Sequence, residues 1–262
     1  MPSLVDRIKA LQRRLGLRPD GLIGPVTLTR IEAVVDRVLG RPAEPAPGAS
    51  LVVSKRSLDA IVQHEISSEA FYRQALERPI WPGAESGVTV GIGYDLGHTS
   101  AAQVERDWRG RLPDADLDAL LHVRGKTGAG AKAALPEVAH VVVPLTAARE
   151  VFYTSTLPRF GALVRTAYPG AEALPPDAQG ALLSLVFNRG ASMADTDKRR
   201  EMRAIRDLVP AGDLDGIAGQ IRAMKRHWDA ARLGGLHRRR DAEADLVAGA
   251  ARPYDADEHV SV

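Results

Sequence analysis

Apolar residues recur at helical spacing along most of the chain and at strand spacing in one stretch. Ile8, Leu11 and Leu15 lie three or four residues apart. Val26, Ile31, Val34 and Val35 follow the same rhythm more loosely, and between the two runs LRPDGLIGP carries the turn signals Asp20-Gly21 and Gly24-Pro25. Two short helices around a turn are expected over residues 1–40. Residues 41–50, RPAEPAPGAS, hold three prolines and no aliphatic anchor, so a linker is expected over 41–53. The body, 54–262, opens on a helix with Ser57 as candidate N-cap before LDAIVQHE. SGVTVGIGYDLG (86–97) alternates with period two, as a strand does. Beyond about residue 100, runs such as 145–157, 175–188 and 213–228 read as helices separated by Pro and Gly. The class expected is α+β: a small β element near the front and a mainly helical body, with a short helical head.

Two positions break the pattern. Glu65 follows Leu58, Ile61 and Val62 by seven, four and three residues, which sets a carboxylate on the apolar stripe. There, desolvation disfavours its charged form, as a general acid requires; a helix-end Glu that reaches solvent or pairs with an Arg is the plainer alternative. In the strand, Val88, Val90, Ile92 and Tyr94 share one face, while Thr89, Gly91, Gly93 and Asp95 share the other. Gly91 and Gly93 would let a bulky polar ligand approach the backbone, or they mark a structural hairpin. A straight strand would hold Thr89 and Asp95 roughly 20 Å apart, so they can serve one water only if the chain bends at Gly91 or Gly93.

Composition narrows the classes. With 262 residues, 45% hydrophobic and 26% charged, the chain fits one ordinary core plus an appendage. It has no cysteine, which excludes disulfides, thiolate zinc sites and a cysteine nucleophile. No apolar run is long enough for a membrane span, and MPSLVDRIKALQRRLG is amphipathic, so neither stable membrane insertion nor a signal peptide is expected. A net charge of +2 is too small to point to nucleic acid. Cations do cluster from Arg199 to Arg240, either as a solvated helical surface or as an attraction to an anionic polymer such as a bacterial envelope. With no heptad seam, a monomer is expected.

HEISSEAFYRQALERPIWPGAESGVTVGIGYDLGH (64–98) resembles the catalytic front of the phage-lysozyme superfamily, and is most similar to its pesticin-like branch. A Glu at the end of the first helix is followed by Thr-x-Gly-x-Gly-Tyr-Asp-Leu-Gly. Downstream, AQGALLSLVFNRGAS (178–192) resembles that family's helix and FN-x-G segment. GGLHRRRDAEADL (234–246) resembles its closing Arg-Arg-x-x-Glu helix, here at Arg239, Arg240 and Glu243. The resemblance implies a lysozyme-like fold and a bacteriolytic muramidase of endolysin type. Such an enzyme hydrolyses the β-1,4 bond between N-acetylmuramic acid and N-acetylglucosamine, with no cofactor or metal. It implies Glu65 as general acid, and Thr89 and Asp95 as the pair that positions water. It further suggests that Gly91, Gly93, Tyr94, Asn188 and Arg189 contact substrate, and that one of Arg238, Arg239 and Arg240 pairs with Glu65 or Asp95. Common phage lysozymes place an Asp shortly before the Thr. Here Gly83, Ala84, Glu85 and Ser86 stand there, so Glu85 is the rival to Asp95 as second carboxylate. For Asn188 and Arg189 a helix-ending role is equally open, and Trp81 either stacks on sugar or packs its loop.

IKALQRRLGLRPDGLIGPVTLTRI (8–31) resembles about half of a peptidoglycan-binding repeat, through Leu11-Gln12, Leu15-Gly16, Asp20-Gly21, Gly24-Pro25 and Thr27. Peptidoglycan is therefore the expected partner. The site of action would be periplasm or cell wall, reached from the cytoplasm by lysis or dedicated export. Rival signatures fail: Ser68 stands where a zinc-protease helix needs a second His after His64-Glu65, and Leu120 where a phosphate loop before Gly125-Lys126-Thr127 needs Gly. A lytic transglycosylase using Glu65 alone, and a non-catalytic wall-binding protein, remain alternatives.

Overall fold

The computed structural model describes residues 3–15, 17, 19–22, 50–66 and 68–262. The chain divides into two compact units, 1–49 and 50–262.

In the first unit, α1 (Leu4–Arg14) starts at Ser3, whose hydroxyl caps the Asp6 N–H while the Asp6 carboxylate answers the Ser3 backbone. Gln12, 1% exposed, clamps the Asp20-Gly21 turn: its amide donates to Asp20 at 2.6 Å and to the Leu22 carbonyl at 2.8 Å, and it accepts from Gly21 N–H at 2.8 Å. The second expected helix, with Val26, Thr27, Ile31, Val34 and Val35, lies outside the described residues, as does most of the expected linker.

The second unit is α+β and mostly helical. Its first element corrects the expected linker boundary: β1 (Val52–Ser54) begins inside it, and Leu51 and Val53 are fully buried. β1 pairs antiparallel with β4 (His259–Ser261), Val52 opposite Ser261, so the chain's last residues close on the body's first. Sequence periodicity does not reveal β4, because three residues are too few to show a period. α2 (Lys55–Ile66) follows directly. Its N-cap is Ser54 rather than Ser57: the Ser54 hydroxyl accepts from Ser57 N–H at 3.0 Å. After α3 (Glu69–Ala75) the stretch read as one strand is a tight hairpin, β2 (Thr89–Val90) and β3 (Tyr94–Asp95). α4 (Ala101–Trp108), α5 (Asp114–Val123) and α6 (Gly128–Ala134) come next. α7 (Leu145–Val151) runs through a π-helical turn, Phe152–Thr156, into α8 (Leu157–Ala167).

α9 (Pro176–Arg189) is the axis of the body. Every residue from Asp177 to Val186 is buried, so the helix is covered on all sides, its polar members Asp177, Gln179 and Ser184 being hydrogen-bonded within the protein. α2, α8, β1 and the long α12 (Ala230–Ala248) pack on it, while α10 (Arg200–Leu208) and α11 (Leu214–Ala223) extend the bundle. Asp177, fully buried, holds the closure: it accepts from Ser54 and, at 2.9 Å, from Arg252. Among the described residues no helix is long and apolar enough to cross a membrane.

Candidate functional site

Glu65 stands at the last turn of α2 with its side chain 22% exposed. Its partner is Arg239 of α12, whose Nη1 donates to Oε1 at 2.7 Å. The expectation of a desolvated carboxyl on an apolar stripe thus gives way to an arginine-paired one in touch with solvent. The pair is anchored from behind. Arg239, 6% exposed, donates from Nε to Glu243 at 3.2 Å and from Nη2 to the Ser184 carbonyl and hydroxyl at 3.2 and 3.1 Å. Glu243 Oε1 also accepts from Arg240 at 2.8 Å and from Ser184 at 2.5 Å. Arg240 reaches on to Asn188 Oδ1 at 3.2 Å. Three helices therefore fix one carboxylate through buried charges, and removing any member would strand another.

The hairpin supplies the second half. Gly91 and Gly93 adopt φ of +58° and +67°, a region that side chains resist, and the three-residue turn between Val90 and Tyr94 reverses the chain. Thr89 and Asp95, six residues apart, become register partners. The bend that a shared water demands is present. Thr89 is 7% exposed and its hydroxyl donates to the Gly87 carbonyl at 3.3 Å. Asp95 accepts from Gly97 N–H at 2.7 Å and from Gly87 N–H at 3.1 and 3.2 Å through its two oxygens. Its carboxylate is thereby aimed by backbone donors. Glycine is needed at 87, since a Cβ there would overlap both Gly97 and the Asp95 carboxylate. A methyl on Gly93 would sit 3.1 Å from the ring of Phe187, which lies one helical turn from Ser184 on α9. The hairpin tip and the Glu65 anchor thus share one helix. No hydrogen bond or ion pair joins Glu65 to Thr89 or Asp95 directly.

The remaining candidate residues fall in different settings. Tyr94 is 1% exposed, donates to Asp107 at 2.7 Å and packs edge-on against Trp108, so its ring belongs to the core rather than to a substrate surface. Burial, then Asp107, raises its hydroxyl pKa. Gly91 is buried against Ala148 and Trp108, so the close approach it permits is to its own chain. Trp81 packs its loop, donating to the Ser86 carbonyl at 3.1 Å beneath Lys132. Glu85 is exposed and turned toward α6: a methyl on Gly128 would lie 3.5 Å from its Oε2. Asn188 is exposed beyond its bond to Arg240. Arg189 ends α9, donates to the Lys198 carbonyl at 2.5 Å and lies 5.0 Å over Trp228.

Sequence reasoning missed Ser184 and His64. The signal for Ser184 was a hydroxyl inside an apolar helix, LLSLVFN. His64 precedes Glu65; burial, then the charges of Arg239 and Arg240, push its imidazole down to about 4, so it is neutral at pH 7. Burial raises Glu243 against the pull of Arg240 and Arg239. Among the described residues no group of three or more acidic or histidine side chains is placed to hold a metal ion.

The profile of a family described as a domain of unknown function (DUF8812) matches residues 64–156, about a third of the chain, a span that holds Glu65, Thr89 and Asp95. No curated protein matches the chain.

Proposed function

We propose that the body is a lysozyme-like muramidase acting on bacterial peptidoglycan, and that the head assists by contacting the same wall. The observation that carries the reading is the hairpin register that sets Thr89 opposite Asp95. It is the geometry that two water-holding groups six residues apart require, and its turn is built by the same glycines that carry the family resemblance. The arginine-anchored Glu65 adds a carboxyl held in place yet open to a substrate. In the step proposed, Glu65, first protonated from solvent, gives that proton to the glycosidic oxygen as the bond from that oxygen to C1 breaks. A water held by Thr89 Oγ1 and Asp95 adds to C1 and passes a proton to Asp95. Asp95 then releases that proton to solvent, and solvent returns one to Glu65. Arg239 is a positioning residue in this scheme.

One observation favours a second reading. The Asp95 oxygens already accept backbone N–H groups from both Gly87 and Gly97. A purely structural Asp95 would leave Glu65 as the single acid–base group, as in a lytic transglycosylase.

The test is turbidity loss of purified peptidoglycan with mass spectrometry of the products. Hydrolysis predicts reducing ends carrying an added water, and loss of about 100-fold or more in Glu65→Gln. Full activity in Glu65→Gln would refute the assignment of the acid. Anhydro-sugar ends, with activity retained in Asp95→Asn, would select the transglycosylase. Binding to sacculi without any ends released would mark a non-catalytic wall binder.

A further inference from the structure

The charges behind Glu65 do not balance locally. Arg239 answers Glu65, and Arg240 answers Glu243. Glu201 is taken by Arg226 at 2.5 Å, His227 at 3.0 Å and Arg200 at 3.3 Å. Arg189 and Arg199, both half-buried, have no ion-pair partner among the described residues. They interlock: Arg189 Nη2 donates to the carbonyl of Lys198, beside Arg199, while Arg199 Nη2 faces Gly190, beside Arg189, 4.0 Å from where a methyl on that glycine would be. Arg189 and Arg240 also flank one ring, 5.0 and 6.0 Å from the centre of Trp228.

Polar atoms within this cluster are buried and unpartnered. They are Nε of Arg189, Nε and Nη1 of Arg240, and the hydroxyl of Tyr168. Arg240 and Tyr168 are each 0% exposed. Leaving donors unpaired away from water is costly, the more so on a charged group. The Tyr168 hydroxyl feels the charges of Arg199, Arg189, Glu243 and Arg240, and after burial Arg199 is the strongest influence disfavouring the charged form of Arg189. One acceptor in the cluster, Glu243 Oε2, is unpartnered too, but that carboxylate already balances Arg240.

We infer that Arg189, Arg199 and Arg240 form a binding site for an oxyanion, a carboxylate or a phosphate, with Tyr168 as a neutral donor. A planar guanidinium offers paired N–H groups that match either anion, and two cations left without carboxylates supply the charge. The loop 191–198 that links Arg189 to Arg199 is mostly exposed. The inference is independent of the glycosidase reading, because it concerns binding alone.

The experiment is calorimetric titration of the full chain with inorganic phosphate and, separately, with acetate, at ionic strength held constant with sodium chloride. The expected result is saturable one-to-one binding of at least one probe. It is weakened tenfold or more in Arg199→Gln and unchanged in Arg206→Gln, a half-buried arginine paired with Asp207 outside the cluster. A phosphate response with acetate silent assigns phosphate, and the reverse assigns carboxylate. If Arg199→Gln does not fold, Arg199→Lys, which keeps the charge but loses the fork, should weaken binding threefold or more. Absence of saturable binding by both probes, or equal weakening in the Arg199 and Arg206 variants, would overturn the inference and leave only water to serve these atoms.

Discussion

Replacing Arg239 with Met keeps the length of the stem and removes every donor. The structure sets the size of the effect. The guanidinium is 6% exposed and reaches Glu65, Glu243 and Ser184 at 2.7–3.2 Å. Without it, Glu243 keeps only Arg240 and Ser184 against its charge at a side-chain exposure of 1%, and Glu65 loses its tether. Breaking a buried ion pair by removing one partner costs about 3–5 kcal/mol, against less than about 0.5 kcal/mol for a surface charge. Urea unfolding of Arg239→Met should therefore show a loss of about 3–5 kcal/mol, and Arg238→Met, the exposed neighbour, almost none. A double-mutant cycle with Glu65→Gln isolates the outer pair; because Glu65 is partly solvated, its coupling should be about 1–2 kcal/mol, less than the whole effect. If Arg239→Met unfolds within about 1 kcal/mol of Arg238→Met, the buried charges are not what holds Glu65, and the anchoring role fails.

Further outcomes are expected. Gly91→Ala should destabilise by about 1–2 kcal/mol in urea, since it forces a left-handed backbone angle and brings a methyl to 3.0 Å from the Ala148 Cβ; an unchanged midpoint would contradict the turn. In an NMR titration, His64 should change charge near pH 4, and Arg239→Met should move that midpoint toward the ordinary 6.5; titration near 6.5 in the native chain would contradict its placement. Glu201 is raised by burial but drawn down further by hydrogen bonds from Arg226 and His227, to about 2. Its folded pKa lies below the unfolded 4.5, so its contribution is present above pH 4.5 and is lost as pH falls toward 2. Native protein should accordingly lose stability over that window more steeply than Glu201→Gln, and parallel curves would refute the network.

The legible parts of the chain were those where one residue type has few places to go. A carboxylate at 65 among Leu58, Ile61 and Val62, and a threonine and an aspartate spaced around two glycines, were visible as exceptions to periodicity. The helices at 145–157, 175–188 and 213–228 were visible because their apolar positions repeat over several turns. Errors fell where local pattern is short or two-sided. Ser57 and Ser54 are both capping residues three positions apart, and β1 decides between them only by pairing with β4, some 200 residues later. Tyr94 lies in the most recognisable motif, yet Asp107 and Trp108, more than ten residues away, claim its side chain.

By itself the sequence determined which positions depart from the periodicity of their segment and which segments bend, because backbone preference and periodicity act between near neighbours. Tertiary structure alone decided who partners whom. Arg239 rather than Arg238 or Arg240 meets Glu65, across 174 positions of chain: Arg238 is exposed, and Arg240, also buried, turns to Glu243 and Asn188 instead. The return of the chain after Gly190 carries Arg199 back to the end of α9. Charges with no local pattern thus become one cluster, since only packing sets distance between residues far apart in sequence.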